Sequence, residues 1–494
     1  MSNRMDAMIA SSVFWKFLER SVFATVQFVV QIALARILVP DDFGALAIML
    51  AFTNVGIIIA QSGLNTALVQ DPDVSERDYS TVFWMSLTIS LALFLAIFAG
   101  APGIAALFEN PELSWPLRIM SSMLVVNSFT SVAMARLMRC MDFKAIFIAS
   151  ATAVILSGII GVACAVFGWG LWALVVQQVG YYVVLTVPLA IVAGWYPHFE
   201  FESVRARILF SFGWKLLAAG LIDAAYQGFA DLLMGKSFGQ HNLGLVNQGK
   251  RWPQAFGYLL DGSIQPVALS AISKIKADAD DVKALMSKTL VAYAYLMFPA
   301  MAALVVCTEP FVLLLLGEQW LPCVPLMRIF CIVYAMLPLH TTNLQALSAL
   351  GRSDLTLKLE VVKKTCGVAL LLIAVFAVGD LYVTATTFIV VGLISLFVNA
   401  APIARLCGYG IGEQLRDIAP AFAMSCASAA LAWSVSLLQL ALPVELVCQL
   451  VVACCAYVGL SALFDVRGFR FARQMFAGLA GYVAGKGGFD ERSG

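Results

Sequence analysis

Asn247, Lys250 or Arg251, Gln254, Tyr258, Asp261 and Gln265 recur at spacings of three, four and seven in an otherwise apolar stretch. That spacing puts them on one face of a helix. A charge at membrane depth costs at least about 2.5 kcal/mol, so such a face must meet either water or a partner. Three more stripes of this kind occur: Lys16, Arg20, Gln27 and Gln31; Asn54, Gln61 and Asn65; and Asp223, Gln227 and Asp231. The chemistry they suit is binding rather than bond-making. Amides and hydroxyls offer the many donors and acceptors that a hydroxyl-rich molecule needs. Lys215, Lys250, Arg251, Lys363 and Lys364 could face phosphate or uronate. Asp223, Asp231 and Asp261 are candidate ion-coupling sites. The competing reading is that these residues pair to glue helices together, Asp261 with Arg251 or Glu19 with the neighbours of Arg20. Four aligned stripes in equivalent positions favour a hydrated cavity over chance pairing.

The elements that position these residues follow from composition. The chain has 494 residues, 61% of them hydrophobic and 12% charged, with a mean hydropathy of +0.89. Soluble domains carry about 25% charged residues, so this is an all-α polytopic membrane protein. A net charge of +1 gives no bulk signal for nucleic acid, and no nucleic-acid partner is expected. Membrane lipids are the surroundings this composition calls for. Seven of the eleven cysteines, Cys164, Cys307, Cys366, Cys426, Cys448, Cys454 and Cys455, sit inside apolar spans, and no Cys-x-x-Cys occurs. With three histidines, His198, His241 and His340, no zinc set can be assembled, so neither a metal nor a cofactor is expected. The first apolar helix is long, carries Lys16, Glu19 and Arg20, and lacks a small-residue cleavage site, so it is read as retained rather than as a signal peptide.

Runs of roughly 20 apolar residues predict about fourteen transmembrane helices. They lie near 12–36, 43–66, 79–101, 116–138, 145–167 and 170–193, then near 208–234, 243–272, 284–307, 323–349, 357–378 and 381–404, with a last pair near 417–440 and 443–464. The expected organisation is an N-terminal lobe over 1–194, a cytoplasmic connector over 195–207 and a C-terminal lobe over 208–406. Two additional helices over 407–464 and an amphipathic cytoplasmic tail over 465–494 complete it. Arg467, Arg470 and Arg473 alternate with Phe469, Phe471 and Phe476 in that tail, a pattern suited to an anionic membrane surface or to a frayed end. Lys and Arg avoid translocated loops, and their distribution places both termini in the cytoplasm.

The stretch 27–65 returns about 200 positions later (227 minus 27). Gln27 answers to Gln227, Gln31 to Asp231, Arg36 to Lys236, Gly44 to Gly244, Asn54 to Gln254, Gln61 to Asp261 and Asn65 to Gln265. Six spans per half bring both halves into the membrane from the same side, which makes them two parallel six-helix lobes related by an axis along the membrane normal. The repeat also makes the first, second, seventh and eighth helices equivalent, and these are expected to line a central cleft.

The segments ALARILVPDDFGALAIM (33–49), SGLNTALVQ (62–70) and RCMDFKAI (139–146) resemble the polysaccharide flippases of the Wzx and colanic-acid-exporter type, within the multidrug/oligosaccharidyl-lipid/polysaccharide exporter superfamily. The resemblance extends roughly over 11–465. It implies a bacterial inner-membrane flippase whose substrate partner is an undecaprenyl-pyrophosphate-linked oligosaccharide, translocated by rocking of the two lobes. It also implies polysaccharide polymerase and chain-length-control proteins as further partners. The lipid II flippase branch carries an Arg-Asp pair about a turn before its Ala-Arg-Ile; the aligned residues here are Val30 and Gln31, which favours the polysaccharide branch.

Other functions fit less well. Gly235-Lys236-Ser237 ends like a phosphate-binding loop, but Ala230 stands where the upstream glycine belongs. Asp278-Ala279-Asp280 resembles a nucleotide-metal motif of a glycosyltransferase or polymerase, yet it lies in the charged loop KIKADADDVK, and no large catalytic domain accompanies it. No enzymatic activity is expected. A drug/cation antiporter of the same superfamily is the remaining alternative, against which the two extra C-terminal spans argue.

Overall fold

The structure, a computed structural model, describes residues 2–61, 64–70, 73–274, 279–471 and 473. Among these residues there are helices and no strands. In order they are α1 (Ser2–Ile37), α2 (Pro40–Gln61), the short α3 (Leu64–Gln70), α4 (Glu76–Leu107), α5 (Ser114–Arg139), α6 (Phe143–Val166), α7 (Leu171–Ala193) and α8 (Ser203–Lys274). They continue with α9 (Ala279–Phe311), α10 (Cys323–Ala335), α11 (Leu337–Ala349), α12 (Ser353–Ile373), α13 (Leu381–Cys407), α14 (Ile411–Trp433) and α15 (Leu442–Leu463). Gly239, at φ 83°, breaks α8 into two arms in a backbone conformation that glycine alone adopts freely. With α8 counted as two and α10–α11 as one, the long helices among the described residues number fourteen, as the span count predicts, and twelve of them are long and apolar enough to cross a membrane. The chain is a multi-pass membrane protein.

Several boundaries differ from the sequence reading, each for a local reason. The α2 helix starts at Pro40, a residue at home in a first helical turn, with Asp41 and Asp42 next to the positive end of the helix dipole. It stops at Gln61, so Asn65 belongs to α3 and not to the second stripe. The α4 helix continues through Pro102 to Leu107, beyond the expected stop at 101. The span expected over 323–349 divides at Met336, because Pro338 has no N–H to give to the carbonyl of Tyr334 four residues back and its ring crowds that carbonyl.

The chain forms two compact units, Met1–Asn247 and Gln248–Gly494. The first arm of α8 therefore packs with the first unit. Along it Gly220, Gly228 and Gly235 face Ile58, Ala51 and Ile48 of α2, an antiparallel contact in which small residues let the backbones approach. At its end the two helix breaks meet. A methyl added to Gly44 would lie 1.8 Å from the carbonyl oxygen of Gln240, and one added to Gly244 would lie 1.9 Å from that of Pro40. Asp41 and His241 pair at 2.7 Å, with Lys236–Glu109 and Asn110–Gln240 alongside at 2.7 and 2.8 Å. Residues 40, 41 and 44 thus meet 240, 241 and 244, so the offset of 200 read from the sequence reappears as a reciprocal contact. The Lys236 ammonium beside Glu109 holds that carboxyl below the usual carboxylate range, and Lys236 is engaged in this pair rather than in a phosphate loop.

The connector after α7 lies along the start of α4. Buried Trp195 packs against Tyr79 and Phe83, Trp84 Nε1 donates to the carbonyl of His198, and Arg205 grips the buried carboxylate of Asp78 at 2.7 and 3.0 Å. In the second unit the base of α9 meets α14 in a similar way. Asp417 accepts from Ser287 and Tyr409, and Lys283 pairs with Glu413 at 2.8 Å. Burial, and then the Asp417 carboxylate to which it donates, push the Tyr409 hydroxyl well above its usual range, so it stays a donor. Beyond α15, Arg467 reaches Asp417 at 3.5 Å and Arg470 pairs with Asp465, while 474–494 lie outside the described residues.

Candidate polar transport site

The four stripes occupy the helices that the repeat assigns to them. In the first unit, Arg20, Gln27 and Gln31 lie on α1, Asn54 and Gln61 on α2, and Asp223 and Asp231 on the first arm of α8. Arg20, Asn54 and Asp223 are exposed, whereas Gln27, Gln61 and Asp231 are half-buried. Gln31 is 1% exposed, and neither its amide oxygen nor its nitrogen meets a partner among the described residues. A buried amide left so costs about 1–3 kcal/mol. Because Ile58 faces Gly220 and Ala51 faces Gly228, Asn54 stands level with Asp223 and Gln227. The last two are joined by a hydrogen bond of 2.6 Å from Gln227 Nε2. Lys16 takes Glu19 at 2.6 Å, so part of the first stripe does pair within its own helix. The side chain of Lys215 lies outside the described residues.

In the second unit, Lys250, Arg251, Gln254 and Asp261 lie on the second arm of α8 and Lys364 on α12. Neither Lys250 nor Arg251 makes an ion pair among the described residues. Gln254 Nε2 donates to the hydroxyl of Tyr258 at 3.4 Å. Asp261 does not pair with Arg251. The two stand ten residues apart, about 15 Å along the axis, so they share a face without touching. Its Oδ1 instead accepts from Tyr293 on α9 at 2.9 Å and from Thr341 on α11 at 2.6 Å. That leaves Oδ2 of the carboxylate available to a ligand, while two hydroxyls fix its orientation.

The same helix arm has a second side. Phe256, about 200° around the axis from Gln254, lines an apolar groove of about 840 Å³ with Pro299, Leu450, Tyr457 and Phe469. Arg473 is the one charged residue among those lining it. Sequence reasoning missed this groove, since its walls read as ordinary lipid-facing apolar residues. It also passed over the interior polar residues of α11–α14, where Asn343 and Gln414 exchange hydrogen bonds of 2.9 and 3.0 Å. Asn343 falls singly in an apolar span and Gln414 just ahead of the expected span 417–440, with two spans between them, so no periodic signal marked the pair.

Comparison with known proteins fits this picture. The chain is 26% identical over 345 residues, 70% of each chain, to the succinoglycan biosynthesis transport protein ExoT of Rhizobium meliloti. It is 22% identical over 357 residues, 71% of each, to the lipopolysaccharide biosynthesis protein WzxC of Escherichia coli. Its fold is similar to that of the lipid II flippase MurJ in an inward closed conformation, with a TM-score of 0.72 at 13% identity, covering 92% of this chain and 98% of that one. An inward-facing MATE multidrug transporter follows with a TM-score of 0.60, covering 79% and 98%. The model of the polysaccharide biosynthesis protein family matches residues 33–325, more than half of the chain, and the protein belongs to that family.

Proposed function

We propose that the protein is a flippase that moves undecaprenyl-pyrophosphate-linked oligosaccharide repeat units across the bacterial inner membrane, for capsule, exopolysaccharide or lipopolysaccharide synthesis. The observation that carries this reading is the two-sided second arm of α8. One face presents Lys250, Arg251, Gln254 and Asp261, and the opposite side walls the apolar groove. An amphiphile with a sugar and phosphate head on a long hydrocarbon tail needs both surfaces close together. A sugar head cannot cross hydrocarbon without replacement hydrogen bonds.

In this reading Arg20, Lys215, Lys250, Arg251 and Lys364 take the anionic parts of the substrate. Gln27, Gln31, Asn54, Gln61 and Gln254 take sugar hydroxyls, and Asp223, Asp231 and Asp261 hold or relay an ion. Two lobes open alternately to the two sides, with both termini cytoplasmic; the compact units divide after Asn247, within α8, rather than at the 195–207 connector expected from the sequence. No bond is made or broken, so the protein acts as a transporter rather than an enzyme, alongside a polymerase and a chain-length regulator. The likeness to a succinoglycan biosynthesis transport protein and to a lipopolysaccharide biosynthesis protein supports the substrate class. Replacing Arg251 with Ala in a strain lacking the native copy should cut polymer output several-fold with unchanged protein in the membrane. Unchanged output would remove Arg251 from the site.

A further inference from the structure

Titratable groups that the stripes leave unused gather inside the second unit. Lys363 on α12 is 7% exposed, and its ammonium lies 2.5 Å from Glu360 Oε1 one turn earlier. Lys363 stands on the helix that packs beside α11, which carries His340. His340 Nδ1 is 3.3 Å from Nδ2 of Asn399 on α13. Asn399 is 0% exposed, and its Oδ1 meets no donor among the described residues. His340 stands nine residues before Ala349, Asn399 eight before Cys407 and Lys363 ten after Ser353. At 1.5 Å per residue the three lie about 12–15 Å along their helices from Ala349, Cys407 and Ser353 respectively.

We propose that His340 and Asn399 form a proton-binding site, and that its occupancy is passed through Thr341 to Asp261 and so drives translocation. This rests on the flippase reading and adds the coupling ion to it. With Asn399 Nδ2 donating, His340 Nδ1 is an acceptor and the imidazole is neutral, its proton on Nε2. A proton arriving at Nδ1 turns that atom into a donor. A half-turn of the Asn399 amide then brings its stranded oxygen round to accept, so the orphaned group finds its partner only in the protonated state. The new charge then stands on the helix beside Lys363, which among the described residues pairs with Glu360, and two cations at membrane depth repel strongly. Moving α11 away from α12 relieves the repulsion. Thr341, the next residue on α11, carries the hydroxyl that holds Asp261 at 2.6 Å, so the displacement is felt on the polar face of α8.

The charged and titratable groups that meet this face are Glu360 and Lys363 from α12, with Asp261 and Tyr293 beyond Thr341. Asp380 and Arg405 stand near the two ends of α13. Near the starts of α9 and α14, Lys283 is engaged with Glu413 and Asp417 with Ser287.

The test uses the full chain in proteoliposomes with a polyprenyl-linked oligosaccharide, comparing wild type with His340→Gln, which keeps an amide of similar size but takes no charge. An imposed proton gradient should speed translocation by wild type. That acceleration should be lost in H340Q, while exchange without a gradient persists. Acceleration retained in H340Q, or a wild type that moves the oligosaccharide at a rate indifferent to the gradient, overturns the proposal. A second readout needs no substrate. In ¹⁵N-histidine-labelled protein in lipid, the resonances absent from H340Q should pass from one protonated nitrogen to two as the pH falls, and should do so at higher pH in Lys363→Met. An imidazole neutral throughout in both proteins overturns the site. A protein that titrates in this way but translocates no oligosaccharide would keep the proton site and defeat the substrate reading instead.

Discussion

Asp261 and Asp78 are both carboxylates on long apolar helices, and their surroundings assign them different work. Asp78 is closed off, with Arg205 on two sides and Ser75 capping α4 reciprocally. Asp78→Ala would take the carboxylate away from the Arg205 guanidinium and should cost about 1.5–3 kcal/mol, read as a lower melting temperature in detergent. Asp261 keeps an oxygen free of Tyr293 and Thr341, so Asp261→Asn should preserve the fold and melting temperature while lowering transport. Equal losses of stability in the two variants would make Asp261 a structural residue. Spacing made the Asp261 stripe legible in the sequence because period and polarity survive without coordinates. Its partners were not legible, since Tyr293 and Thr341 come from helices whose rotation no linear pattern specifies. Gln31 was legible as polar at membrane depth, but only burial reveals that its amide is unsatisfied.

At the scale of elements, the two helix breaks around residues 40 and 240 are the most constrained joint in the first unit. Gly44 and Gly244 each lie beneath a carbonyl of the other break, so Gly44→Ala must push the backbones apart. Overpacking of this kind costs about 1–3 kcal/mol. Melting of Gly44→Ala, of Gly244→Ala and of the double variant should show both singles destabilised and the double less than additive, because one displacement admits both methyl groups. Strict additivity would mean that the two contacts are independent. Repetition of Gly44 as Gly244 was visible as a pattern; that the pair meets face to face required the fold. Boundaries were read less well where prolines interrupt apolar runs. Pro102 is tolerated inside α4 and Pro338 divides α10 from α11, and composition alone ranks them alike.

At the scale of the whole molecule, fourteen long helices and a polysaccharide biosynthesis family model agree with what hydropathy, repeat and motif implied. Hydropathy works well here because lipid leaves the backbone no alternative to helix. Substrate class is harder to read from a sequence, because an amphiphile is recognised by two surfaces and only the polar one leaves a periodic trace. The apolar groove of the second unit became apparent only when Phe256, Pro299 and Tyr457 were brought together. The decisive measurement is translocation by purified protein in proteoliposomes. They would carry an undecaprenyl-pyrophosphate oligosaccharide extract and a sugar-modifying probe confined to one side. Protein-dependent access of the probe, abolished in an Arg251→Ala, Asp261→Asn double variant that inserts and melts like wild type, is the expected result. No translocation of several glycan types, accompanied by gradient-driven movement of a cationic dye, would contradict it and make the protein an antiporter.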